Sequence, residues 1–258
     1  MPQFNKKPLI LANWKMNLSL ADNIKLVKAV LKGVGNYIND FDIGVCPAFT
    51  ALASTKELLS AKRIALGAQD VFWKGAGPYT GEISANMLQE LGVKYVLIGH
   101  SERRNYLKET DQMIHHKVMS VLAAGLSPVL CVGETFIERQ QGNKDLVIAR
   151  QVERALAGVE LAPNAELVIA YEPVWEIGSG QAVTGQEAEH TAQVILQALY
   201  DMWSPSVVGN QVRIIYGGSV DASNINDFLP SGIIAGVLVG GASLDARRFI
   251  ALIKKLVN

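Results

Sequence analysis

Three polar clusters interrupt otherwise apolar stretches of the sequence: Asn13-Trp14-Lys15, Gly99-His100-Ser101-Glu102-Arg103 and, much further on, Glu172. A carboxylate, an imidazole and an ammonium around one cavity suit removal of a proton next to a carbonyl. The base takes a carbon-bound proton while the donors receive the charge growing on oxygen. A glutamate of ordinary pKa, about 4.3, is a weak base. It can remove so weakly acidic a proton only where the enediolate is strongly stabilised, so His100 and Lys15 are necessary partners in this reading. Taken singly, each residue has a plainer alternative: Lys15 and Glu172 as solvated surface charges, His100 as a structural side chain.

A second group consists of glycine-rich segments, Ile177-Gly178-Ser179-Gly180, Tyr216-Gly217-Gly218-Ser219-Val220 and Val239-Gly240-Gly241-Ala242-Ser243. Glycines let backbone N–H groups approach a ligand and converge, and a helix N-terminus adds favourable partial charge, which together make a phosphate cradle. Tight turns into helices are the alternative. The four histidines, His100, His115, His116 and His190, form no metal-ligand spacing with cysteines or carboxylates, so neither a metal nor a cofactor is expected.

The elements that must position these groups can be read from hydropathy. Eight short, nearly continuous apolar runs recur: Leu9 to Ala12, Ile43 to Cys46, Ile64 to Ala68, Tyr95 to Ile98, Pro128 to Val132, Leu167 to Ala170, Val212 to Ile215 and Gly236 to Val239. Runs of this kind suit strands covered on both faces, as in a parallel sheet flanked by helices. Between them, Ser19 to Lys32, Asp111 to Ala124 and Glu187 to Tyr200 carry helical spacing; Ile24, Val27, Val30 and Leu31 mark the apolar face of the first. Thr184-Gly185-Gln186-Glu187 predicts a capping box. One βα unit takes about 30 residues, so eight units fill the chain. The predicted fold is an α/β (β/α)8 barrel with residues 1–258 as a single domain, and the polar clusters then fall just after strand ends, on the face where such barrels carry chemistry.

Composition narrows the class. With 24 basic and 24 acidic residues there is no positive excess for a nucleic-acid backbone or an anionic membrane surface. The apolar run Pro8 to Ala12 is too short for a signal or membrane segment, so a cytoplasmic location is expected. Cys46 and Cys131 lie far apart inside apolar runs and read as buried free thiols. Asn17-Leu18-Ser19 matches a glycosylation sequon by chance.

In order along the chain, Asn13-x-Lys15-Met16-Asn17, Gly99-His100-Ser101-Glu102-Arg103-Arg104, Cys131-Val132-Gly133-Glu134, Ala170-Tyr171-Glu172-Pro173-Val174-Trp175 and Tyr216-Gly217-Gly218-Ser219-Val220 resemble the motifs of the triosephosphate isomerase family. The resemblance runs over nearly the whole chain. It implies interconversion of dihydroxyacetone phosphate and glyceraldehyde 3-phosphate, an assignment inherited from what is well known of the family. Glu172 would shuttle the proton, neutral His100 would serve the substrate oxygens, Lys15 would supply positive charge and Asn13 would orient the substrate, with Glu102 in support. Gly178, Ser219, Gly240 and Gly241 match phosphate-binding positions. Pro173 to Gly180 matches the mobile lid known in the family.

Three residues depart from the family pattern: Glu176 and Ser179 in the lid, where alanine and threonine are usual, and Pro78 in place of alanine. Glu176 is expected to face outward when the lid shuts, because exposed charges are screened. Gln69 to Glu82 resembles the loop that reaches into a twin subunit and carries a threonine, here Thr80, towards the neighbouring active site. A homodimer is implied, with Trp73 and Tyr79 suited to its interface. Two rival readings are an aldolase using Lys15 as a Schiff-base nucleophile and a phosphate-binding barrel without catalysis.

Overall fold

The apolar runs fall where a parallel barrel needs them. A computed structural model describes residues 6–59, 63–176, 183–229 and 232–257. Its strands are β1 (Leu9–Asn13), β2 (Asp42–Cys46), β3 (Ile64–Ala68), β4 (Val93–Ile98), β5 (Ser127–Val132), β6 (Leu167–Tyr171), β7 (Val212–Tyr216) and β8 (Ile234–Val239). They pair in parallel, in chain order, and close through β1 and β8, where Leu9 to Ala12 lie beside Gly236 to Val239. Closure needs a glycine at 236: a side chain there would begin 2.1 Å from the Leu9 carbonyl oxygen. Alternation sorts the strand residues into two sets. Leu9, Leu11, Tyr95, Leu97, Val129, Cys131, Val168, Ile215 and Leu238 fill the interior. Ile10, Val45, Val96, Leu130, Ile169 and Val237 face the helices.

The helices are α1 (Leu20–Val34), α2 (Leu52–Leu59), α3 (Ala85–Glu90), α4 (Ser101–Tyr106), α5 (Asp111–Ala123), α6 (Phe136–Gln140), α7 (Lys144–Leu156), α8 (Gly185–Tyr200), α9 (Pro205–Gln211) and α10 (Ala246–Lys255). The packing of α10 on α1 completes the outer ring. Ser19, Thr110 and Thr184 cap α1, α5 and α8 by accepting from backbone N–H groups three residues on. At α8 the expected box is only half made. Glu187 turns instead to Arg139 and to Lys144, 3.6 Å away, since an ion pair offers its carboxylate more than a neutral amide does. A complete box forms at Thr135 and Glu138, at the start of α6. The buried face of α1 is rotated from the expected one: Asn23 is inside, donating to Thr55 Oγ1 at 2.8 Å, and Ile24 sits at the boundary.

Cys46 and Cys131 are buried free thiols, and burial pushes the Cys46 thiol up to about 12. Among the described residues no helix is long and apolar enough to cross a membrane.

Candidate active site

The C-terminal ends of the strands gather the polar clusters. Asn13 ends β1, and its Oδ1 accepts from the Lys15 backbone N–H at 3.1 Å. Lys15 has φ of 51°, in the left-handed region that a side chain disfavours, so its placement stores backbone strain. The surroundings hold it there. Gln69 Nε2 donates to Lys15 O and to Cys46 O, both at 2.9 Å, which ties the loops after β1, β2 and β3 together. Lys15 Nζ lies 2.9 Å from Glu102 Oε1.

His100 follows β4 and caps α4. Its Nδ1 accepts from the Glu102 N–H at 3.2 Å, which leaves a neutral ring with its proton on Nε2, 3.3 Å from Glu172 Oε1. Gly99, at φ of +70°, makes the turn that aims the ring inward. Arg104 locks that turn, donating from Nε to Gly99 O at 2.8 Å while pairing with Asp111 at 2.8 Å.

Glu172 follows β6, and its N–H donates to Val132 O at 2.8 Å. Glycines on both neighbouring strand ends make room for it. A Cβ at position 133 would fall 1.7 Å from Glu172 O, and one at 217 would fall 2.9 Å from Glu172 Cγ. Oε2 accepts from the Ser101 N–H at 3.1 Å. Oε1 is buried and makes no hydrogen bond. One carboxylate oxygen is thus held by backbone while the other is left for chemistry.

These side chains border a cavity of about 280 Å³ lined by Asn13, Lys15, His100, Glu172, Ser219, Gly240 and Gly241, together with Gly217, Gly218 and Arg248. Gly178 and Ser179 lie outside the described residues. Glu102 does not border the cavity and reaches it through Lys15 and His100. Thr80 does not border it and is exposed on its loop. Sequence reasoning missed two contributors. Gln69 appeared only as a loop boundary, with no local signal of the carbonyls it would meet. Arg248 carried no signal beyond a charge on a helix that follows a glycine-rich turn.

The segment that follows Glu172 is fixed from beneath: Trp175 Nε1 donates to Glu134 Oε1 at 2.9 Å, and the Arg139 guanidinium stacks over the indole at 4.6 Å. Here the expectation of an outward Glu176 is overturned. Glu176 is fully buried, and its Oε2 accepts from the Tyr216 hydroxyl at 2.9 Å. The Glu176 N–H bonds to Pro173 O at 3.0 Å in a tight turn that carries the side chain back under the rim, where a hydroxyl replaces part of the lost hydration. Burial pushes the carboxyl up to about 7, with the Tyr216 hydrogen bond opposing.

A family model described as triosephosphate isomerase matches residues 8–256. The chain belongs to the triosephosphate isomerase family. It is 43% identical over 249 residues to the triosephosphate isomerase of Dictyoglomus thermophilum, covering 96% of this chain and 99% of that one. It is 42% identical over 248 residues to that of a Thermoanaerobacter species, covering 96% and 99%. The crystal structure of triosephosphate isomerase from Bartonella henselae superposes with a TM-score of 0.86 at 34% identity, covering 98% of this chain and 100% of that one. Triosephosphate isomerases catalyse the reversible interconversion of dihydroxyacetone phosphate and D-glyceraldehyde 3-phosphate in glycolysis and gluconeogenesis, and this chain is an isomerase of that kind.

Proposed function

We propose that four side chains carry the family reaction here: Glu172 as the proton shuttle, His100 as the donor to the substrate oxygens, Lys15 as the fixed positive charge and Asn13 as an orienting group. The observation that carries this reading is the free Glu172 Oε1, 3.3 Å from His100 Nε2, on a cavity that Lys15 also lines. In the first half-reaction the carboxylate takes the proton from one carbon while the Nε2–H bonds the carbonyl oxygen as it becomes an enediolate. In the second, the same carboxyl returns the proton to the neighbouring carbon. A neutral imidazole suits this exchange, because it gives a proton to one oxygen and receives one from the other. Lys15 lowers the energy of the negative charge throughout.

Ser219, Gly240 and Gly241, with Gly178 of the lid, are assigned to the phosphate, held by backbone N–H groups rather than by a cluster of cations. Lid closure excludes water, which keeps the enediol phosphate from expelling its phosphate. Shortening the segment Pro173 to Gly180 is expected to raise the fraction of substrate lost to elimination; an unchanged product ratio would count against the lid's role.

The working unit is assigned as a cytoplasmic homodimer, each subunit one domain over 1–258, without metal or cofactor. Met16, Phe49 and Tyr79 expose apolar surface on the three loops that Gln69 ties together, the kind of surface a second copy would cover. Thr80 projects from the same region, and a monomeric mass at micromolar concentration would contradict the dimer. The deciding test of the chemistry is a coupled assay with glyceraldehyde 3-phosphate on wild type and Glu172→Asp. Withdrawing the carboxylate by one methylene is expected to cut kcat by about 10²-fold or more. Undiminished turnover would remove Glu172 from its role.

A further inference from the structure

Behind the phosphate cradle lies a carboxylate that the reaction does not use. Glu176 sits on the far side of Gly218, whose own backbone lines the cavity. A Cβ at 218 would fall 2.2 Å from Tyr216 Oη and 2.9 Å from Glu176 Oε2, so only a glycine lets this pair lie against the turn. We propose that Glu176 is a positioning residue that couples phosphate binding to a proton: as an ionised carboxylate behind Gly218 it opposes the incoming dianion, and by taking a proton from solvent it lets the cradle fill. This rests on the assignment of the glycine-rich turn to the phosphate.

The surroundings define the electrostatics. Tyr216 faces Glu176 from β7, Glu134 from the turn after β5, Glu187 from the first turn of α8 and Arg139 from α6. Arg139 is committed to Glu187, whose carboxyl the pairing holds below the usual carboxylate range, and it lies 3.8 Å from Glu134. Lys144 also lies 3.6 Å from Glu187, so both cations of this cluster are shared with other carboxylates, and burial favours the neutral form of Glu176. A dianion at the cradle adds repulsion on the same carboxylate, so binding must raise its proton affinity and, by linkage, proton loss must weaken binding. The Tyr216 hydroxyl can donate to either form of the carboxyl, so protonation need not dismantle the contact.

The test uses sulfate, whose double negative charge is fixed across the range, as a competitive inhibitor at constant ionic strength between pH 6 and pH 8.5. Wild type, Glu176→Gln and Glu176→Ala are compared, the alanine being the residue usual in the family at this position and a safeguard should the glutamine variant fold poorly. The sulfate inhibition constant of the wild type is expected to rise with pH by about three- to tenfold more than that of either variant. The KM for glyceraldehyde 3-phosphate should rise in parallel and kcat should change less. Equal pH dependence in wild type and both variants overturns the proposal, including the case where both variants merely melt at lower temperature. Sulfate that fails to compete at any pH overturns the cradle assignment itself, and the proposal with it.

Discussion

The two ends of this barrel treat charge in opposite ways. At the N-terminal ends of the strands, Arg213 pairs with Asp42 at 2.6 Å and Glu166 at 2.8 Å and donates to Lys7 O at 2.9 Å, while Lys94 lies 3.5 Å from Glu166. One guanidinium thus joins the beginnings of β1, β2, β6 and β7. At the other end Glu172 keeps an oxygen unbonded, Lys15 holds a strained backbone, and Glu176 is buried beside other carboxylates. The same strands support both ends. At one end ion pairs tie the strand beginnings to one another and serve stability, whereas the other turns a carboxylate, an imidazole and an ammonium towards one cavity, as the division of labour in such barrels requires.

The contrast can be broken most severely at Glu172, the proposed base. Glu172→Gln is expected to lower kcat by about 10³-fold or more, roughly 4 kcal/mol in the barrier, with Tm unchanged or raised, because the variant removes a buried charge. Steady-state assay with thermal melting checks both halves, and a fall in Tm with retained turnover would reverse the assignment of the two ends. Arg213→Met should do the opposite. Stability should fall by about 2–3 kcal/mol, limited by the partial exposure of Asp42, while kcat of the folded enzyme stays close to wild type. Denaturant unfolding alongside turnover at low temperature would separate the two.

A smaller effect sharpens the comparison at Glu176. Its carboxyl titrates near 7 in the fold against 4.5 unperturbed, so the folded state binds more protons between those values. Its contribution to stability therefore declines as pH rises from about 4.5 to about 7 and is level above that. Glu176→Gln removes the decline. The variant's Tm should match wild type near pH 4.5 and exceed it at pH 8 by about 4–8 °C, on the order of 2 kcal/mol. A constant difference across that range would show that the carboxyl does not titrate there. Smallest of all, Arg248→Ala at the exposed edge of the cavity should raise KM by about two- to threefold at low salt and by less at high salt, since mobile ions screen exposed charges. A salt-independent rise would mean that Arg248 makes a direct, desolvated contact.

Much of this was legible from residue order. Strands buried on both faces must be apolar without alternation, which is why all eight were visible as runs such as Leu9 to Ala12 and Leu167 to Ala170. Asn13, Lys15, His100 and Glu172 could be picked out because each follows such a run. What escaped detection depends on partners remote in the chain. Nothing near Gln69 indicates that it meets the carbonyls of Lys15 and Cys46, and nothing near Glu187 says that Arg139 outcompetes a backbone amide for its carboxylate. Glu176 was misjudged for the same reason. Solvent screening is the right default for a loop glutamate, but Tyr216 and Gly218 supply a dry seat for it from a strand forty residues away.

Hydropathy and turn-forming residues determined the barrel, the order of its strands and the identity of the polar groups at their ends, because burial and backbone geometry act locally. Only the tertiary structure decided which nitrogen of His100 carries the proton, which oxygen of Glu172 stays free and which way Glu176 faces. Those outcomes depend on hydrogen-bond partners and water exclusion, and these arise only when distant segments come within a few ångströms of one another.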